Sequence, residues 1–160
     1  MPNSIISTLF NPRLFSIGTD IWIIMCDQIS FNSKLYKFDG TNFSDYTSLI
    51  FTSTGITSFN CISKQNSDIL IGTNNGIVKL NGSTVSVLNT GNSTLLNDTI
   101  NDIKSLNYSN VLVGTQNGLT TYNGTTFSAP IYFPSTSNQK VNQIYMSSTR
   151  TIVTSQAQIG

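Results

Sequence analysis

An all-β fold built from small antiparallel sheets is predicted by three features of this 160-residue chain. The sequence nearly repeats itself at a fixed interval, Asn-Gly and Asp-Gly pairs recur between apolar segments, and polarity rests on amides and hydroxyls rather than on ions. The repeat is plainest when "IGTNNGIVKLNGSTV", residues 71 to 85, is set beside "VGTQNGLTTYNGTTF", residues 113 to 127. Gly40, Gly82 and Gly124 stand at 42-residue steps in "FDGTNF", "LNGSTV" and "YNGTTF", and Gly76 and Gly118 are separated by the same step. A period of about 40 to 45 residues is too long for one hairpin and suits one small sheet per copy.

Asn, Ser and Thr make up 62 of the 160 residues, and only 9% are charged. An ordinary soluble domain is roughly 25% charged. Short polar side chains of this kind serve turns and strand faces, and inside helices they compete with the backbone for hydrogen bonds. No segment of 10 or more residues keeps a 3.6-residue apolar period without a Gly or Asn-Gly interruption, so helical repeats are disfavoured.

Each copy reads as four strands. In the third, an inner strand covers Ile100 to Leu106, an apolar strand covers Asn110 to Gly114, and a third strand covers Leu119 to Tyr122. The first Asn-Gly hairpin joins strands two and three, and the second leads into "TTF" and an outer strand. Asn-Gly between apolar segments is the strongest short-range hairpin signal, on the expectation that both turn residues adopt positive φ. The second strand is apolar without alternation: Ile21-Trp22-Ile23, Ile69-Leu70-Ile71, Val111-Leu112-Val113. Strands with both faces covered read this way, so each sheet is expected to have a neighbour on either side.

The step from the first copy's triplet, at Ile21, to the second's, at Ile69, is longer than the later one by six positions, which fall between Ile23 and Leu35. A fourth, partial copy begins at Val141, with Thr151-Ile152-Val153 in the place of the triplet. The expected organisation is one domain, 1–160, with repeats at approximately 13–50, 56–98, 100–138 and, in part, 141–160. Four-stranded units stacked at this period define a β-propeller-type array of antiparallel blades. Phe38, Leu80 and Tyr122, and likewise Phe43, Val85 and Phe127, are expected in its core. Closure is open to three readings: a segment near Ser4 to Phe10 completes the fourth copy, several chains share a ring, or the 160 residues belong to a longer polypeptide.

The pattern apolar-Gly-Thr, then x-Asn-Gly-Leu or Ile, then Asn-Gly-Thr-x-Phe, resembles the propeller repeat of two-component regulator sensor domains. That repeat commonly carries Trp in the apolar strand, and here Trp22 occupies it in the first copy alone. The resemblance covers roughly residues 14 to 160 and implies a propeller fold; one scaffold hosts many functions.

Chemistry is largely excluded by composition. The chain has no His, and all seven acids are Asp. Ser-His-Asp, Cys-His and His-ligated metal arrangements are therefore impossible, and neither catalysis nor a cofactor or metal is expected. Asp98 and Asp102 read as solvated turn residues, and Asp39 as a hairpin residue. Cys26 and Cys61, 35 apart, make no zinc pattern and read as buried free thiols. Six Asn-x-Ser/Thr sequons are about what this composition produces by chance. Net charge is +1 with basic residues scattered singly, which argues against nucleic acid as a partner. No apolar run reaches membrane-spanning length, so no membrane insertion is expected, and the N-terminus does not read as a secretory signal.

What remains is the loops. The insertion in "MCDQISFNSK" (25 to 34) and the linkers 88 to 99 and 128 to 140 fall on one face of a propeller. Gln28, Phe31, Asn32, Tyr132 and Phe133 are the candidate binding residues there, as aromatic and amide contact surface for a protein or glycan partner. The competing reading is that the aromatics cover blade edges. The sequence thus predicts a non-catalytic interaction module, extracellular or on a virion surface. The two settings are a structural or receptor-binding component of a phage or other assembly, in which self-association is expected, and the ligand-sensing extracellular domain of a bacterial regulator.

Overall fold

The computed structural model describes residues 9–132, 139–147 and 149–155. They form two compact units, residues 1–59 and 60–160.

The first unit holds one antiparallel sheet, β1 (Leu9–Ile17), β2 (Asp20–Asp27), β3 (Ser33–Phe38) and β4 (Phe43–Asp45), paired in sequence order. Leu9 and Phe10, in the segment that could have completed the fourth copy, instead extend β1 against Asp27 and Cys26; residues 4–8 lie outside the described residues. One helix among the described residues, α1 (Thr47–Thr54), follows, overlapping the end of the first repeat. Asp45 accepts the Thr47 N–H at its start, and Gly55, at φ 74°, closes it by donating to the Phe51 carbonyl. Only Ile50 of the helix is buried, so a single apolar anchor rather than a periodic stripe holds it.

The second unit holds three sheets. β5 (Phe59–Gln65), β6 (Asp68–Thr73), β7 (Gly76–Asn81) and β8 (Thr84–Leu88) make a four-stranded sheet whose first residue closes the preceding unit. β9 (Ile100–Ser105), β10 (Val111–Thr115) and β11 (Gly118–Tyr122) make a three-stranded sheet, and β12 (Val141–Met146) pairs with β13 (Thr151–Ser155). The expected fourth strand of the third copy is reduced to the bridges Tyr122↔Phe127 and Leu119↔Ile131. The reason is Pro130. Leu88 pairs with Ile77 in the second copy, and Pro130 stands at the matching place with no N–H to donate. The chain slips by one residue, and Ile131 donates to the Leu119 carbonyl instead, at 2.7 Å.

The Gly-Thr motif has two separate jobs. A Cβ on Gly72 would lie 2.7 Å from Ile100 Cγ2, and one on Gly114 would lie 2.4 Å from Val141 Cγ1. At both places the inner strand of the next sheet lies directly on the bare backbone. The following threonine pins the hairpin: Thr73 Oγ1 donates to the Gly76 carbonyl at 2.8 Å and accepts the Asn75 N–H at 2.9 Å, and Thr115 repeats both bonds with Gly118 and Asn117. The turn differs from the expected one. Its two residues are Asn74 and Asn75, and positive φ falls only on the glycine after them, 102° at Gly76 and 128° at Gly118. A glycine after the turn, in the manner of a bulge, replaces the mirror-image turn that needs two positive φ values.

Sheets in the second unit are also stitched by side chains at equivalent positions. Asn60 Nδ2 donates to the Ile100 carbonyl at 2.9 Å, and Asn101 Nδ2 donates to the Val141 carbonyl at 2.7 Å. Asp102, expected to be a solvated turn residue, is buried: one carboxylate oxygen accepts the Ile144 N–H at 2.8 Å and the other accepts that of Ile103. Cys61, at the equivalent position in β5, is buried and Cys26 is half-buried, and neither forms a disulfide.

The expected core is only partly realised. Leu80, Tyr122 and Phe127 are buried and Val85 is half-buried, but Phe38 is half-buried and Phe43 exposed. Phe38 stacks on Phe43 with ring centroids 4.7 Å apart.

Candidate functional site: the loop between β2 and β3

In the second and third copies a two-residue turn joins the middle strands. In the first copy the β2–β3 pairing ends at Cys26↔Ser33, and residues 27–32 make the connection beyond that pair. Asp27 organises this loop. Its Oδ1 accepts the N–H groups of Ile29 and Ser30, each at 2.9 Å. Its carbonyl accepts the Phe31 N–H and its own N–H donates to the Asn32 carbonyl, both at 2.9 Å. The Ser30 and Ile29 N–H groups hold the Asp27 carboxyl below its ordinary range, helped by the nearby positive charge of Lys34. At the base, Ser33 donates to the Thr57 carbonyl and its hydroxyl accepts the Phe59 N–H.

The result is a tip whose polar backbone is turned inward and whose apolar side chains are turned out. Phe31 is 76% exposed and holds φ at 56°, a conformation that costs a bulky residue strain and that clusters at functional loops. Ile29 is equally exposed, and Gln28 and Asn32 flank them as exposed amides.

Of the five candidate residues, Gln28, Phe31 and Asn32 are therefore brought together on one loop. Tyr132 is exposed in the second unit, beside the Ile131 bridge, and Phe133 lies outside the described residues. The linker 88–99 is packed rather than projecting: Gly76 donates to the Asp98 carbonyl, Asp98 accepts the Thr90 N–H and hydroxyl, and Leu95 is buried. Ile29 was missed because a lone Ile in a polar stretch carries no signal. Asp27 was missed too, although Asp followed at two and three residues by backbone donors is the ordinary signature of a capped loop. Among the described residues no three His, Cys, Asp or Glu side chains gather as a metal site, and no helix is long and apolar enough to cross a membrane.

The described residues thus form small antiparallel sheets of two to four strands, one of which carries a long apolar-tipped loop. By sequence the chain matches no family model and no curated protein. By structure it is similar to the extracellular domain of BT4673 from B. thetaiotaomicron, described as a one-component system, with TM-score 0.60 and 22% identity. It is similar also to the extracellular domain of the hybrid two-component system BT3049 of that organism (TM-score 0.60, 18% identity) and to PorZ of Porphyromonas gingivalis (TM-score 0.68, 9% identity). PorZ is a surface component of the type-IX secretion system. The alignments cover 88%, 92% and 86% of this chain but only 19%, 26% and 22% of those structures, so it spans about a fifth to a quarter of their length. The resemblance of the repeat to sensor-domain propellers thus extends to the folded chain, and at these identities it speaks for the fold alone.

Proposed function

We propose that this chain is a non-catalytic, extracellular ligand-recognition module of propeller type, and that its contact surface is the tip formed by Gln28, Ile29, Phe31 and Asn32. The observation that carries the reading is the loop itself: an apolar tip organised by Asp27, where the second and third copies make a two-residue turn. An exposed aromatic face between two amides suits a ligand with an apolar face and hydroxyls at its edge, as a sugar ring has. Of the two settings the sequence leaves open, the structural likeness supports the sensing module over a virion component.

The test is an NMR titration of the labelled protein with a panel of soluble oligosaccharides. The expected result is a set of saturable shifts confined to residues 27–33, lost in Phe31→Ala while the rest of the spectrum is unchanged. Shifts mapping elsewhere, or none across the panel, would refute the reading.

A further inference from the structure

Four Asn-Gly pairs occur in the chain, at 75–76, 81–82, 117–118 and 123–124, all in the second unit. An asparagine followed by glycine is open to attack by its own backbone, because no Cβ shields the next nitrogen. The fold treats the four pairs differently. Gly76 and Gly118 are buried, and the Gly76 N–H donates to the Asp98 carbonyl at 2.7 Å. Asn81 is exposed, but its Nδ2 donates to Asp68 Oδ1 at 2.8 Å and to Ser67 Oγ at 3.2 Å, which ties down the amide nitrogen.

Asn123 is held the other way round. Its Oδ1 accepts the N–H groups of Thr125 at 2.9 Å and Thr126 at 2.8 Å, with the Thr126 hydroxyl 3.5 Å away. Its Nδ2 and the Gly124 N–H have no hydrogen-bond partner among the described residues. Donors on a carbonyl oxygen stabilise the oxyanion that forms when a nucleophile adds to the carbon, and one such donor is typically worth about 10²–10³ in rate in a site built for it. Asn123 is exposed and Gly124 half-buried, so water and hydroxide reach both. The carbonyl is thus polarised while the nucleophile and the leaving group are both unrestrained.

We propose that Asn123 is a self-modifying site, converted to an acid through attack by the Gly124 nitrogen. That nitrogen loses its proton and bonds to Asn123 Cγ, the Cγ–Nδ2 bond breaks, and Nδ2 leaves with the proton as ammonia. Water then opens the cyclic imide, at Cγ to give Asp or at the main-chain carbonyl to give isoaspartate, and nothing is oxidised or reduced. The first copy already holds the Asp form of this turn. Asp39 Oδ1 accepts the N–H groups of Thr41 at 2.9 Å and Asn42 at 2.8 Å. The Asp39 N–H donates to the Asn42 carbonyl at 3.2 Å, as that of Asn123 does to Thr126, and φ is 97° at Gly40 and 96° at Gly124. The Asn42 and Thr41 N–H groups hold the Asp39 carboxyl below its ordinary range, so an Asp at 123 keeps the turn and adds a negative charge. Isoaspartate adds a backbone carbon and moves Gly124 off the Tyr122 hydroxyl, which donates to its carbonyl at 2.7 Å.

The experiment is a timed incubation of the wild type in mildly alkaline buffer, folded and in urea, with peptide mass mapping of all four Asn-Gly pairs. Enzymatic methylation of isoaspartate separates the two products. In the folded protein Asn123 is expected to convert about tenfold or more ahead of Asn75, Asn81 and Asn117, and in urea the four rates are expected to converge. Folded rates that are equal, or an Asn123 slower than any of the others, overturn the proposal. The same lead in urea overturns it too, because the neighbouring sequence and not the fold would then set the rate. Asn123→Asp is the second measurement. It is expected to melt with the wild type, and a marked loss of stability would show that this turn does not hold an acid as the turn at Asp39 does.

Discussion

The connection between β2 and β3 and that between β6 and β7 occupy the same place in the repeat and are built on different principles. Between β6 and β7 the chain turns in two residues, and every device serves tightness: the Thr73 hydroxyl spans the turn, and Gly76 leaves room for the Leu88 carbonyl. Between β2 and β3 the six residues 27–32 are held open by one carboxylate, and the strain sits on an exposed aromatic. The first connection contributes to the stability of the sheet. The second is stabilised by the sheet and offers its tip to solvent. If that division is right, substitutions in the tight turn cost global stability, and substitutions in the open loop change local order and binding.

The largest expected effect is at Gly76. A Cβ there would stand 2.2 Å from the Leu88 carbonyl oxygen, a backbone atom that cannot swing aside, and φ is 102°. Steric overlap and backbone strain together are worth about 3 kcal/mol, so Gly76→Ala should lower the denaturant midpoint by a large fraction of the domain's stability. Equilibrium unfolding in urea measures it; a cost near zero would break the contrast between the two connections. Next comes Thr73→Val, which keeps the shape but removes the bonds to Gly76 and Asn75 in a fully buried place. The unpaired turn groups should cost about 1–2 kcal/mol, and Thr115→Val should cost a similar amount in the third copy. Unequal losses would mean that the repeated motif does not carry a repeated energy.

The contrast also shows what the sequence could reveal. Hairpins are local, so the spacing of Gly40, Gly82 and Gly124 located them, and the triplets located the second strands. Burial is not local. Phe43 and Phe127 sit at one repeat position, yet only Phe127 is buried, because burial depends on contacts that the local pattern does not carry. Asp102 looked solvated for the same reason, since its partner Ile144 lies a whole repeat further along the chain. The helix after β4 escaped because a single buried Ile50 leaves no periodic trace, although Asp45 and Gly55 bracket it. At the candidate loop, the insertion was legible from the length difference between copies. The left-handed backbone at Phe31 was not, because an aromatic is among the last residues expected there.

Phe31 gives a smaller effect of opposite sign. A non-glycine residue in the left-handed region carries about 1–2 kcal/mol of strain, and glycine's freedom in the unfolded chain returns roughly 0.5–1 kcal/mol of cost. Phe31→Gly should therefore leave stability unchanged or raise it by about 1 kcal/mol, while removing the aromatic contact surface. A melting curve beside the oligosaccharide titration separates the two consequences. A marked loss of stability would mean that Phe31 belongs to the packing of its unit and not to a contact surface.

The smallest effect sharpens the comparison most, because it touches one connection and leaves the other alone. The Asp27 carboxyl is held below 3.8 by the N–H groups of Ser30 and Ile29, so its charged form is the one the folded loop prefers. A depressed carboxylate contributes order that is fully present above the unfolded value and is lost as pH falls through the folded one. In acid below 3.8, then, the amide resonances of Ile29, Ser30 and Phe31 should move together as the loop loosens. Those of Asn74 and Asn75, whose turn is pinned by a hydroxyl that does not titrate, should stay where they are. Asp27→Asn should abolish the transition at the loop with little change in the melting temperature, since the group is fully exposed. If instead the 74–76 turn shifts in step with the loop, the two connections are coupled, and the loop cannot be treated as a separately ordered contact surface.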